Sequence, residues 1–191
     1  MESHAYHIYS TITGEYLRTA TRECIPYEVD TIAIGIELGG GYKHYYDKDL
    51  DLVVPMPYQP SRADIFDYDI KQWVDTRSLQ DYKTIQWDAI KQSRTLAEYG
   101  GFTWDNSVFD SDAVSQNRIT GAVQLAQISP GFNIEWTLAD NTTRVLSAAD
   151  MISVGTALGI HVGTHFAKGQ ALRTQIEAAT TKEEVEGIIW Q

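Results

Sequence analysis

The pattern that most constrains the fold is a change in hydrophobic periodicity near residue 75. Before it, apolar and aromatic residues alternate with polar ones, as at Tyr6 and Ile8 and again over residues 32–38. A period of two is typical of half-buried strands. Over residues 81–99, apolar residues recur every three or four positions, which is the spacing of one helix face. The sequence therefore predicts an α+β chain in which strands precede helices.

The same change divides the chain into two parts. We predict a β-rich N-terminal module over residues 1–75 and a mainly α-helical C-terminal domain with short hairpins over residues 76–191. In the first part, turns at Thr13-Gly14 and at residues 47–49 separate paired strands. Residues 65–73 are predicted as one further strand. No internal repeat of solenoid length is visible.

Capping residues and turn dipeptides mark the elements of the second part. Asp105-Asn106 and Asp140-Asn141 predict two hairpins. Helix starts are predicted where a side chain can accept from free backbone N–H groups, at Ser111 or Asp112, at Ser147 with Asp150, and at Thr180-Thr181. The helix from Ser147 reaches 179, either unbroken or with one break near Gly163 or Gly169.

Net charge and hydropathy limit the partners. Fifteen basic against 26 acidic residues give a net charge of -11, and a field of that sign repels nucleic acid and anionic lipid. The most apolar window, residues 151–167, contains two histidines and several hydroxyl groups and is slightly short for a bilayer. We expect no nucleic-acid partner and no membrane span. The single Cys24 cannot form an internal disulfide, which fits a reducing cytoplasm.

A histidine pair resembles half of a metal site. His161 and His165 are four residues apart, so both point the same way from a helix. The zincin pattern requires Glu directly after the first His, where this chain has Val162, and no third ligand is near in sequence. We interpret the pair as partly buried, hydrogen-bonded histidines, with a metal site as the alternative, and expect no bound metal.

Two acidic clusters are interpreted as solvated. Asp47, Asp49 and Asp51 resemble the start of a calcium loop, but that loop requires Gly where Leu52 stands. We interpret them as a solvated turn, with a cation site as the alternative. A second cluster is interpreted as a solvated edge that could also bind a cation, namely Asp64, Asp67 and Asp69.

Nothing in the sequence forms a recognisable catalytic motif. Gly39-Gly40-Gly41 lacks the Lys-Ser/Thr of a phosphate loop, so we predict a flexible turn there. Ser147, Ser153 and Cys24 have no nearby base in a known pattern, although triads also assemble from distant residues. We predict no catalytic residue and no cofactor.

Three glycines lie at four-residue spacing in the longest predicted helix. Gly155, Gly159 and Gly163 each destabilise a helix interior by roughly 0.5–1 kcal/mol relative to Ala. A stable helix therefore needs a compensating contact, and a smooth ridge lets another backbone approach closely. Two alternatives follow: close packing inside one chain, or a contact between subunits. We predict a neighbouring backbone directly over Gly159.

Aromatic residues are the other candidates for contacts with a partner. The chain has five Trp and eleven Tyr, and we expect most Trp to anchor the core. Trp and Tyr are also enriched in protein interfaces. We expect one or two Trp to lie in a partner interface, with Trp73 and Trp104 as candidates.

The remaining signals are short stretches spread over both parts of the chain. Tyr9-Ser10 with residues 13–17, and then residues 67–75 around Trp73, resemble phage tail-fibre assembly proteins. Residues 23–65 depart from the proline-rich middle of those proteins. From Trp87 onwards, the chain is similar to an uncharacterised C-terminal domain attached to phage tail proteins. The matching residues include Arg94, Gly101-Phe102, Trp104, Asp112, Trp136, Asp140-Asn141, Met151, His161-Val162, Phe166, residues 176–179 and Trp190.

This resemblance implies a non-enzymatic bacteriophage tail protein. It would bind a tail-fibre or baseplate protein, as an assembly chaperone or as a retained structural component of the virion. We also expect a homo-oligomer, located in the host cytoplasm during assembly or in the virion tail. The alternatives are a receptor- or glycan-binding tail module and a polysaccharide-degrading hydrolase, which would need two carboxylates at a defined separation.

Overall fold

The structure, a computed structural model, describes residues 5–21, 31–35, 43–129 and 131–191. It divides into two compact units, Met1–Arg77 and Ser78–Gln191. The predicted turn at Gly39-Gly40-Gly41 and the thiol of Cys24 lie outside the described residues.

The described part of the N-terminal unit consists of short antiparallel strands. A three-stranded sheet has the order β2-β1-β3, and β4-β5 and β6-β7 are two-stranded hairpins. The strands are β1 (Ala5–Ser10), β2 (Tyr16–Thr21), β3 (Thr31–Gly35), β4 (His44–Asp47), β5 (Leu52–Pro55), β6 (Asp64–Asp67) and β7 (Gln72–Asp75). The predicted single strand over residues 65–73 is wrong, because the chain turns between β6 and β7.

The second unit is mainly helical, and the predicted α+β class is confirmed. Its helices are α1 (Leu79–Tyr99), α2 (Ala113–Ile128), α3 (Ala148–Ala178) and α4 (Lys182–Glu186). Two hairpins interrupt them, formed by β8 (Phe102–Trp104) with β9 (Ser107–Phe109) and by β10 (Asn133–Thr137) with β11 (Thr143–Ser147). Helix α3 is unbroken, whereas α4 ends at Glu186 and not at Ile189, where the sequence predicted the end of the helix that starts at Thr180-Thr181.

Local sequence explains where these helices begin. Ser78 and Ser147 form capping boxes with Asp81 and Asp150, so an Asp supplies the reciprocal acceptor that is usually Glu or Gln. The side chain of Asp112 accepts from two backbone N–H groups at the start of α2. These caps satisfy donors that would otherwise lack a partner within the helix.

The core of the second unit lies where α2 and α3 meet the two hairpins. Leu146, Met151 and Val154 are fully buried there. Helix α3 also packs along α1. The cluster comprises Phe102, Phe109, Ile119, Ala122, Ala126, Leu138, Leu146, Met151, Val154 and Leu158. Within the described part of the chain, no helix is long and apolar enough to cross a membrane.

Candidate functional site

Three hairpins of the N-terminal unit share one turn design. In each, a Ser or Asp side chain accepts from the backbone N–H groups two and three residues further on, at 2.9–3.3 Å. Four residues after that acceptor, the backbone has a positive φ, of 84°, 53° and 58°. The acceptors are Ser10, Asp47 and Asp67, and the positive-φ residues are Gly14, Asp51 and Lys71.

Aromatic residues before each turn form the hydrophobic interior of this unit. Tyr9, Tyr46 and Phe66 directly precede the three turn acceptors, and all are buried. Tyr45 lies with its ring centroid 5.0 Å from that of Phe66, and Trp73 lies 5.3 Å from Phe66. Burial of such rings contributes strongly to stability, so one repeated pattern supplies both the turn and the core.

The first two turns pack directly against each other. The Tyr46 N–H donates to the Gly14 carbonyl at 3.0 Å, and Lys48 Nζ donates to the Ile12 carbonyl at 2.5 Å. A Cβ on Gly14 would lie 2.6 Å from the carbonyl oxygen of Tyr46. Glycine at position 14 therefore permits both the positive φ and this close approach.

An ion cluster joins the second and third turns. Lys71 Nζ lies 2.6 Å from Asp47 Oδ1 and 2.7 Å from Asp49 Oδ2. The hydrogen bond from Lys71 holds the pKa of Asp47 below its ordinary value, and the two carboxylates raise the pKa of Lys71. Since the Asp47 side chain is only 4% exposed, the predicted solvated turn is wrong at this residue, and its cation is a lysine of the same chain.

The second acidic cluster is also less solvated than predicted. Asp64 is buried, and its carboxylate accepts from the Ser61 N–H at 2.8 Å. Asp69, by contrast, is 88% exposed and lies 3.7 Å from Lys48 Nζ. Among the described residues, no group of three His, Cys, Asp or Glu side chains forms a metal site.

A groove of about 500 Å³ lies between the first turn and the third hairpin. Ile65 and Val74 face each other across β6 and β7, and both line it with Ile12. Ile12 and Ile65 are 61% and 63% exposed. The groove also has acidic and hydroxyl groups, namely Asp67, Asp69, Thr13 and Thr76. We call this surface the hairpin groove. The sequence did not predict it, because its walls come from segments that are distant along the chain.

Trp73 and Trp104, the two predicted interface tryptophans, lie in different units and are both half-buried. Trp73 Nε1 donates to the Pro57 carbonyl at 2.8 Å. Trp104 Nε1 donates to Ser153 Oγ at 2.9 Å, and the Arg144 guanidinium lies 4.9 Å from its ring. Each indole N–H is therefore satisfied within its own unit.

In the second unit, a groove of about 730 Å³ runs between α2 and α3. Gly155, Gly159 and Gly163 all line it, so the structure brings the three predicted glycines onto one surface. Other lining residues are uncharged and include Thr120, Val123, Gln124, Ile152, Val162 and Phe166. We call this surface the helix groove.

The three glycines have different surroundings. A Cβ on Gly155 would lie 2.5 Å from Val123 Cγ2, so close packing inside the chain explains that glycine. At Gly159 and Gly163, no described atom other than the adjacent backbone of α3 itself lies within 4 Å of such a Cβ. The prediction of a backbone over Gly159 is therefore wrong within one chain, and the alternative of a contact between subunits stays a prediction.

The histidine pair lies between α1 and α3. The ring centroids of His161 and His165 are 4.6 Å apart, and His161 Nε2 lies 3.1 Å from the Glu98 carbonyl oxygen. Burial, and then the neighbouring His161, lower the pKa of His165. The interpretation as partly buried histidines fits. His161 is hydrogen-bonded as expected, whereas the buried Nδ1 of His165 has no hydrogen-bond partner among the described residues.

A third groove, of about 540 Å³, lies on the other side of α2. The half-buried ring of Trp136 lines it together with the carboxylates of Asp110 and Glu135. Arg118 and Asn141 add further polar groups. An aromatic face beside such groups is chemically suited to a sugar or a peptide.

Comparison with known proteins identifies the second unit but not its activity. No curated protein and no solved structure matches the chain. Residues 81–189 match the domain of unknown function DUF4376. This match spans more than half of the chain and runs from the first turn of α1 past the end of α4. The chain therefore belongs to the DUF4376 family.

Proposed function

We propose that this chain is a bacteriophage tail protein that binds a tail-fibre or baseplate protein. It acts either as an assembly chaperone or as a retained structural component of the virion. It is a binding protein rather than an enzyme. During assembly it resides in the host cytoplasm, and a retained copy resides in the virion tail. The resemblance of residues 9–17 and 67–75 to tail-fibre assembly proteins motivates the proposal.

The observation that carries the proposal is the hairpin groove. Its apolar walls leave Ile12 and Ile65 more than half exposed, and such surfaces commonly mark protein contacts. Within the described residues, β6 and β7 pair only with each other, so the hairpin has outer edges that another strand can join. Asp67 and Asp69 favour a partner with basic residues beside its apolar ones.

A fibre protein offers a complementary surface before it assembles. Subunits of an intertwined trimer bury much of their surface only on assembly, so an unassembled chain exposes apolar residues and strand edges. Binding one such strand along the hairpin groove would cover both the exposed apolar residues and the exposed strand edge of the fibre protein. The groove supplies apolar contacts, and the strand edge supplies backbone hydrogen bonds.

Affinity capture from infected cells tests this proposal. A tagged chain should enrich an identifiable fibre or baseplate protein, measured by mass spectrometry of the lysate. Ile65→Lys should abolish the enrichment, because it places a charge in the apolar groove. Leu96→Lys is the matched control, since Leu96 is 74% exposed on the second unit. Equal enrichment by both variants, or none by the parent chain, contradicts the proposal.

Purified virions distinguish the two forms of the proposal. A retained component should be present in virions at a fixed ratio to its partner. A chaperone should be present in the lysate complex and absent from virions. Quantitative mass spectrometry of both preparations gives the ratio directly.

The groove at Trp136 supports glycan binding as a second candidate function. Aromatic rings stack on sugar faces, and nearby carboxylates and amides accept and donate hydrogen bonds. Oligosaccharides from the host envelope should then quench tryptophan fluorescence with saturation. Trp136→Ala should remove this signal, whereas Trp87→Ala should keep it. A titration that does not saturate for any host glycan rejects this candidate.

A further inference from the structure

Two glycines of α3 have no packing partner inside the chain that accounts for the missing side chain. Gly159 and Gly163 are exposed on α3 and touch nothing where a Cβ would stand. Each destabilises the helix by roughly 0.5–1 kcal/mol relative to Ala. Gly155 differs, because Val123 fills the space beside it. A contact from outside the chain would offset the cost of the other two.

None of the residues that line the helix groove is charged, and a cation beside it is Arg94 of α1, 5.5 Å from the ring of Phe166. Between Asp150 and Lys168, helix α3 contains no Asp, Glu, Lys or Arg. The only charged residue of α2 is Arg118, which lines the groove on the other side. Because the chain has a net charge of -11, two copies repel each other over most orientations. The helix groove is a surface where they can meet without opposing carboxylates.

The spacing of the lining residues is symmetric about Gly159. Ile152 and Phe166 are each seven residues from it, and seven residues are about 20° short of two helical turns. These two apolar side chains therefore lie almost in line with Gly159, and they are 38% and 49% exposed. Gly155 and Gly163 are each four residues from the same centre.

We propose that the helix groove binds a second copy of this chain, with the two α3 helices antiparallel and crossing at Gly159. In this arrangement, Ile152 of each copy lies opposite Phe166 of the other, and Gly159 lies against its own equivalent. A two-fold interface requires one surface that complements itself. The small residues let the two backbones approach closely at the crossing point.

Helix α2 widens the contact beyond a single helix pair. Thr120, Gln124 and Gln127 line the same groove and offer neutral hydrogen-bonding groups at its rim. Interfaces typically combine such a polar rim with an apolar centre. A different partner would not need the symmetric placement of Ile152 and Phe166, and this symmetry favours a second copy.

Substitution at the crossing point tests the proposal. The parent chain should show a mass of twice 21.5 kDa by sedimentation velocity or light scattering at micromolar concentration. Gly159→Leu should reduce this mass to that of one chain. Its far-ultraviolet circular dichroism should stay helical, because a Cβ at this exposed position meets no packed neighbour inside the chain.

Gly121→Leu is the matched control. Gly121 is also a helix glycine with open space around it, but it lines the groove at Trp136 on the other side of α2. This variant should keep the mass of the parent chain. A parent chain that stays at 21.5 kDa at every concentration overturns the proposal. So does a dimer that Gly159→Leu leaves intact.

Cysteine cross-linking tests the antiparallel geometry separately. In a Cys24→Ser background, which has no other thiol, Gly159→Cys should form a disulfide between copies under mild oxidation, because the Cα atoms at a close crossing fall within disulfide range. Ile160→Cys, one residue around the helix and 67% exposed, should cross-link at least tenfold more slowly. Equal rates for the two variants contradict a crossing at Gly159.

Discussion

At the scale of single residues, Gly14 makes the most specific prediction. Gly14→Ala should destabilise the N-terminal unit by about 2–4 kcal/mol, because it combines a positive φ with a clash against the Tyr46 carbonyl. Urea unfolding monitored by tyrosine and tryptophan fluorescence measures the change. Gly121→Ala should instead stabilise its helix by up to about 1 kcal/mol. Two changes of the same sign would contradict this reasoning.

His165 makes a prediction about pH. Its pKa is lowered in the fold by burial and by His161, so the unfolded chain binds the proton more tightly. Stability is therefore fully present above the unfolded pKa of about 6.5 and falls as the pH drops below it. The melting temperature should decrease as the pH is lowered from 7.5 to 5.5. His165→Phe should weaken this decrease; a pH profile identical to that of the parent chain would be the contrary result.

Residue types alone predicted some of these environments and missed others. The histidine spacing correctly placed both rings on one helix face, because that depends only on local geometry. The buried state of Asp47 could not be predicted, because its partner Lys71 is distant in sequence. The two residues belong to different turns. A local cluster of acidic residues is interpreted as solvated when the cation that pairs with it is distant in sequence.

At the scale of elements, the sequence predicted most helices and hairpins but missed one turn. Helix starts followed from Asp112, Ser147 and Thr181, since a cap is a local interaction. The turn between β6 and β7 was missed because Lys71, not glycine, holds its positive φ. The usable signal was the shared spacing of three turns, in which an aromatic residue and then Ser or Asp precede the positive-φ position.

Helix packing makes a prediction for Gly155 and Val123. Gly155→Ala should destabilise the second unit by about 1–2 kcal/mol, because a new Cβ would lie 2.5 Å from Val123 Cγ2, and a valine side chain is stiff. Adding Val123→Ala should recover about 1 kcal/mol relative to the sum of the single changes. Thermal unfolding of the four proteins gives this coupling. Strict additivity would show that the two residues do not pack as described.

At the scale of the whole molecule, the two proposed protein-binding surfaces belong to different units. The hairpin groove is built from the first unit alone, and the helix groove from the second alone. Hydrophobic periodicity predicted the change from strands to helices near residue 75. It could not predict either groove, because each requires the relative placement of segments that are distant in sequence.

This separation leads to a prediction for a fragment of residues 78–191. It should fold alone, because it retains the Ser78 cap and the entire core cluster of the second unit. Calorimetry should show one cooperative transition with an enthalpy of about 0.7 kcal/mol per residue near 60 °C. Once folding is established, the fragment should dimerise like the full chain and lose the dimer on Gly159→Leu. It should capture no fibre or baseplate protein, because it lacks the hairpin groove. A folded fragment that still captures that partner would place binding on the helical unit, and an unfolded fragment would show that the second unit depends on the first.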